Sequence, residues 1–157
     1  MWQGEIAMSY VTLKISLHRS DFSRTIVVPD DWTMEKLSDA IRAVFDWDDD
    51  THLWKFETKD GTEIGLPDML YDDGAAIVRH QVKSARRARV RDCFPVKGEK
   101  LDYIYDFGDW WEHHIRRMSD PKVGEIACVK ATGDTEEPRP TVASLTSKLR
   151  GGSSRGL

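Results

Sequence analysis

Leu101-Asp-Tyr-Ile-Tyr-Asp-Phe107, Gly108-Asp109 and Trp110-Trp-Glu-His-His-Ile115 follow one another without a break. Both flanks carry aromatic and β-branched residues in alternation, the pattern of two paired strands on a half-buried sheet. Two residues separate them. Glycine at the first central position suits a type II′ hairpin turn, where that residue needs positive φ. Pairing Phe107 with Trp110 across the turn sets the expected register. Tyr103, Tyr105, Phe107, Trp110, Glu112 and His114 then share one face, and Ile104, Asp106, Trp111, His113 and Ile115 share the other. The neighbouring indoles of Trp110 and Trp111 must diverge, so one is buried and the other is covered by another element or offered as contact surface.

Upstream, Tyr10-Val-Thr-Leu-Lys-Ile-Ser-Leu17 alternates with the period of a strand, and Thr25-Ile-Val-Val28 is a second β-branched run closed by Pro29. Residues 18–23 suit the hairpin loop between them. Thr33 stands where an N-cap belongs. Met34, Leu37, Ile41, Val44 and Phe45 follow at helical spacing and make one apolar stripe, which Asp46 to Asp50 ends. His52 to Thr58 reads as a third strand, and Asp60-Gly61 turns it back to Glu63-Ile64-Gly65. The order strand, strand, helix, strand predicts an α+β fold with a β-grasp (ubiquitin-like) β-β-α-β core, to which the 101–115 hairpin is added. A ferredoxin-like arrangement would begin with a strand–helix unit instead. Residues 66–100 give weaker signals: a turn at Leu66-Pro67-Asp68, a short strand at Ala76-Ile-Val78, then an arginine-rich segment.

At 157 residues the chain is sized for one domain. The expected division is an N-terminal extension at 1–8, a domain at 9–129 and a largely disordered tail at 130–157, where Thr, Ser, Pro and Gly replace aromatics. Met8 offers a second start, which makes the first residues dispensable. Hydrophobic residues are 39% and charged residues 32% of the chain. No apolar run approaches the ~20 residues of a membrane span, and the N-terminus lacks the pattern of a secretory signal. Cys93 and Cys128 are too few for a disulfide framework or a four-cysteine zinc site, which fits a reduced, cytoplasmic setting. The net charge of −4 is divided unevenly. Residues 1–74 hold 7 Lys/Arg against 16 Asp/Glu, whereas residues 75–118 hold 10 against 6.

Tyr103-Ile-Tyr-Asp-Phe-Gly-Asp109, with Trp111, His113 and Ile115 after it, resembles the Y-x-Y-D-F-G-D-x-W-x-H-x-I signature of the plasmid pRiA4b ORF-3-like family. Leu13 to Leu17, Arg24 and Ile26 ahead of Val28-Pro29, Thr33-Met34 with Leu37 and Ile41, and Trp47 with His52-Leu53 and Phe56 extend the resemblance over about residues 9–128. The family usually carries Trp where this chain has Ser23, and Gly where it has Asp46. After Cys128 the chain departs from the family's Cys-Pro-Pro-Glu-Asp pattern, as a truncated or diverged C-terminus would. The resemblance implies a compact α+β domain from a mobile genetic element. Some relatives are labelled transposon resolvase-like, but Ser16, Ser20 and Ser23 with Arg19 and Arg24 do not make a serine recombinase, since no helix-turn-helix accompanies them. Nor is Asp106-Phe-Gly108 a kinase magnesium motif, for want of a glycine-rich loop.

Two groups of residues carry candidate chemistry. Asp106, Asp109, Glu112, His113 and His114 could bind a divalent ion or work as acid and base, with Asp106, Asp109 and His113 as the metal candidates. In the expected register no three of them converge, and an architectural reading competes: the aspartates bond turn N–H groups while His113 bonds a core acceptor. The second group is Arg86, Arg87, Arg89 and Arg91. An extended chain would set Arg87, Arg89 and Arg91 on one side as a ridge able to track phosphates, with Tyr105 or Trp110 as a stacking surface. Alternatively these arginines pair with the acidic N-terminal half.

The expectation is therefore a cofactor-free, non-enzymatic accessory protein that recognises a protein or nucleic-acid partner through Arg86, Arg87, Arg89, Arg91, Tyr105 and Trp110. An inhibitor of host defence (anti-CRISPR-like) is a special case, and homodimerisation is open. The competing expectation is a metal-dependent hydrolase or nuclease built on the hairpin acids and His113.

Overall fold

The computed structural model describes residues 9–47, 52–66, 82–121 and 124–133. The expected N-terminal extension, the Ala76–Val78 strand and residues 134–157 lie outside these. Among the described residues, eight strands form a single sheet: β1 (Tyr10–Leu17), β2 (Ser23–Pro29), β3 (Trp54–Glu57), β4 (Glu63–Gly65), β5 (Val82–Ser84), β6 (Lys100–Tyr105), β7 (Trp111–Arg117) and β8 (Ala127–Thr132). Helix α1 spans Met34–Val44, and a single turn, α2, spans Val90–Cys93. The fold is α+β, dominated by the sheet.

Its order is β5-β4-β3-β6-β7-β1-β2-β8. All pairs are antiparallel except β4–β5. This order departs from the β-grasp expectation. In a ubiquitin-like core a single later strand, parallel to the first, lies between the N-terminal hairpin and the strand after the helix, whereas here an antiparallel pair, β6 and β7, stands between β3 and β1. The central hairpin has a buried inner face: Leu101, Tyr103, Tyr105 and Ile115 are all at most 4% exposed. The tail boundary also moves. Lys130 to Thr132 belong to β8 and pair with Ser23 to Thr25 of β2, so the ordered domain runs past residue 129.

Helix α1 lays its apolar stripe on the inner face. Leu37 and Ile41 are fully buried there with Leu13, Ile15, Ile26 and Phe56, and each such side chain contributes about 1.5–3 kcal/mol. As predicted, Thr33 caps the helix, its hydroxyl accepting from the Lys36 N–H. At the other end Arg24, 6% exposed, donates through Nε to the Val44 carbonyl and through Nη1 to Ser23 and Thr132. One guanidinium thus satisfies a carbonyl left over at the helix C-terminus and ties it to β2 and β8.

Candidate functional site

The loop at the tip of the β6–β7 hairpin sets the geometry around it. It has five residues, Asp106–Trp110, rather than the expected two, and Gly108 does not adopt positive φ; Asp106 (φ 64) and Trp110 (φ 58) do. The Asp106 carboxylate accepts the Gly108 and Asp109 N–H groups, and the Asp106 carbonyl accepts from Trp110. The register is accordingly one residue from the predicted one, with Tyr105 opposite Trp111, Tyr103 opposite His113 and Asp102 opposite His114. The reason is burial. A two-residue turn would set Tyr103 and Tyr105 on one face with Glu112 and His114, forcing charge inward or tyrosines outward. The longer loop sets Tyr103, Tyr105, Trp111 and His113 on the face toward the helix and Asp102, Glu112 and His114 on the face away from it.

On the inner face His113 has no exposure. Its Nδ1–H donates to the Tyr103 carbonyl at 3.0 Å, and its Nε2 accepts from Trp47 Nε1 at 3.1 Å. Burial pushes its pKa down to about 4, so the ring is neutral in a fixed tautomer. Trp47 stacks on Tyr105 and lies against Trp111 with centroids 5.2 Å apart. The alternative metal candidates Asp106, Asp109 and His113 are not brought together. Asp106 is a turn cap that also meets His52, Asp109 stands exposed at the tip, and His113 is a core hydrogen-bonding residue. Tyr105, 3% exposed, is likewise core rather than contact surface.

The outer face is ordered in rows across β6, β7 and β1. Lys100, Arg116 and Lys14 form the first, and Asp102, His114 and Ser16 the second. In the third, Ile104 pairs with Glu112, whose carbonyl accepts the His18 N–H at the end of β1. Three groups converge where the expected register allowed none. Ligand atoms of His18, Glu112 and His114 all lie within 4.8 Å of one another, and Asp102 Oδ1 lies 2.8 Å from His114 Nδ1. Sequence reasoning missed His18 and Asp102. The alternation of β1 places His18 on the face of Lys14 and Ser16, but only the β1–β7 pairing brings it to the hairpin.

Beyond this cluster the tip curls over the outer face. Trp110, 48% exposed, packs against Phe107 with centroids 5.8 Å apart. Lys55 Nζ lies 5.3 Å from the Trp110 ring centre and 5.7 Å from that of Phe107, and Lys55 is itself anchored by Glu57 and Glu63. Trp111, 39% exposed, emerges on the opposite side over Trp47. The two indoles diverge as predicted.

The arginine segment is not the extended ridge expected. Residues 85–87 turn, and the backbone from 85 to 91 is bolted to residues 30–35. Ala85 and Ala88 carbonyls accept the N–H groups of Glu35 and Met34, while Val90 and Arg91 donate to Trp32 and Asp30. The first turn of α1 has N–H groups without helical partners, and this segment supplies them. Arg86 pairs with Glu35 of the acidic half, whereas Arg89 donates to the Asp31 backbone carbonyl. Arg87 and Arg91 are exposed. An open groove of about 1200 Å³ beside Arg87 mixes both signs, with Lys59, Lys83 and Lys100 alongside Asp60, Asp92 and Glu99. Cys93, at its edge, has its thiol pushed up to about 11 by burial and by Asp92, which argues against a nucleophile.

No helix among the described residues is long and apolar enough to cross a membrane. The sequence profile described as plasmid pRiA4b ORF-3-like protein matches residues 9–139. A protein of Sinorhizobium fredii (strain NBRC 101917 / NGR234), uncharacterized protein y4hQ, is 33% identical over 120 residues. The match takes in 74% of this chain and 57% of that protein, so this chain spans little more than half the length of its relative. The crystal structure of a protein of unknown function, MM3350 from Methanosarcina mazei Go1, is similar with a TM-score of 0.61 at 26% identity. That similarity covers 94% of this chain and 83% of the other.

Proposed function

The chain belongs to the plasmid pRiA4b ORF-3-like family, whose members are plasmid-associated proteins, and on that premise we propose that it is a cytoplasmic, non-enzymatic accessory protein of a mobile element that docks on a protein partner through the β6–β7 tip. One observation carries this reading: Trp110, half exposed, is held at φ 58 on an otherwise well-bonded loop. A bulky residue in the left-handed region costs about 1–2 kcal/mol, and such backbone strain concentrates at functional positions. Tryptophan is also the side chain most often found as an energetic anchor of protein interfaces.

Charge decides between partners. Asp106, Asp109 and Glu112 lie on the same hairpin as the two indoles, with Lys55 as the cation over Trp110, and the whole chain carries −4; this balance disfavours phosphate. Arg86 and Arg89 are engaged within the fold, which leaves Arg87, beside a groove of mixed sign, and the exposed Arg91. A protein with an apolar pocket and a basic rim fits the tip better than a nucleic acid. Occlusion of a host defence protein would be one form of this action.

The test is a capture experiment from host lysate with the full chain as bait, followed by affinity measurement on each recovered protein. Trp110→Ala is expected to weaken the true partner at least ~30-fold, as loss of an anchor worth 2 kcal/mol or more does, and Arg87→Ala with Arg91→Ala to leave it unchanged. Equal binding by the Trp110 variant would overturn the reading. Salt-sensitive mobility shifts of DNA or RNA that vanish with Arg87 and Arg91 would replace it with nucleic-acid recognition.

A further inference from the structure

We infer that His18, Glu112 and His114 form a binding site for one divalent transition metal of the zinc class, with Asp102 holding His114 in place. His18 Nδ1 and His114 Nε2 face each other at 2.8 Å. Glu112 Oε2 lies 3.8 Å from the first and 3.6 Å from the second. A tetrahedral ion with bonds of 2.0–2.2 Å to nitrogen and oxygen needs ligand atoms about 3.3 Å apart. The three observed separations straddle that value, so an ion can be taken up by small side-chain rotations with the backbone fixed.

The tautomers agree. Asp102, a carboxylate 2.8 Å from His114 Nδ1, can only accept, so Nδ1 carries the proton and Nε2 presents its lone pair. A carboxylate behind a histidine ligand in this way fixes the ring and raises its basicity, the usual arrangement behind zinc-bound histidines. Without metal, the His18 Nδ1–H is what fills the 2.8 Å contact; an ion takes that proton's place. Two imidazoles and one carboxylate select zinc and its neighbours over magnesium or calcium, which want oxygen. All three ligands stand on strand backbone or the residue directly after it: Glu112 and His114 on β7, and His18 one residue past β1, its N–H bonded to the Glu112 carbonyl. Three protein ligands leave a fourth position for water or an incoming donor group. This inference stands apart from the partner-docking reading, which uses Trp110 and needs no metal.

The test titrates Zn²⁺ into tag-free, chelator-stripped full-length protein by calorimetry, and Co²⁺ by visible absorption. One equivalent of Zn²⁺ is expected to bind, with Co²⁺ giving the intense bands of a four-coordinate ion. Asp102→Asn should weaken affinity about 10–100-fold, and His18→Ala with His114→Ala should abolish the one-equivalent step. His52→Ala, which removes an imidazole outside the cluster, should bind as wild type does. These side chains are on the surface, so circular dichroism is expected to be the same for every variant. No stoichiometric Zn²⁺ uptake by the wild type, or equal uptake by the His18/His114 double variant, would overturn the inference.

Discussion

Replacing His113 with Gln tests the buried polar link between hairpin and helix. The imidazole has a pKa of 6.5 in the unfolded chain and is held at about 4 in the fold, chiefly by burial. Its folded pKa is depressed, so its contribution is fully present above pH 6.5. That contribution is lost as pH falls toward 4, because the unfolded chain binds a proton that the folded chain refuses. Between those limits the loss at pH 5 is about 2 kcal/mol, and at pH 4 about 3 kcal/mol. The assay is urea denaturation of wild type and His113→Gln at pH 7.5 and pH 5. At pH 7.5 the variant should be less stable by about 1–3 kcal/mol, since the Tyr103 carbonyl or the Trp47 N–H loses its partner. At pH 5 the gap should close by about 2 kcal/mol, because glutamine does not titrate while the other ionising groups are common to both proteins. If wild type and variant lose equal stability between the two pH values, His113 is not a neutral core histidine and the account of the inner face is wrong.

Three further outcomes follow from the geometry. Trp110→Gly should be more stable than Trp110→Ala by about 1 kcal/mol, because glycine meets no penalty at φ 58; identical denaturation midpoints would remove the strain from the argument. Arg24→Ala should cost at least ~2 kcal/mol, because it strands the Val44 carbonyl and unties β8 from the end of α1. Arg24→Lys should recover little of that, since an ammonium cannot reproduce the fork. Cys93, its thiol pushed up to about 11, should react with iodoacetamide at pH 8 about two orders of magnitude more slowly than a free cysteine; fast labelling would mean that the wall of the groove opens.

Local signals decided where the elements lie. The alternation of residues 10–17, the Thr33 cap, the stripe from Met34 to Val44 and the Asp60-Gly61 turn all describe neighbours within a few residues, and such neighbours carry most of the information about a strand or a helix. The family signature was also readable, because it is a run of adjacent residues. The arginine segment was misjudged for a non-local reason. Its backbone is claimed by the first turn of α1, some fifty residues earlier, and that demand bends a chain whose own sequence suits an extended ridge.

The chain's order of residues also fixed which side chains alternate along each strand, but not which strands meet. Pairing is chosen by the burial it achieves over the whole sheet. Placing β6–β7 at the centre hides the tyrosines, and a five-residue loop lets Asp102, rather than a tyrosine, face His114. The same choice lays β1 against β7 and carries His18, nearly a hundred residues away, to Glu112 and His114. A site assembled across a sheet from two distant strands leaves no local pattern, because its spacing is set by interstrand hydrogen bonds and not by the chain.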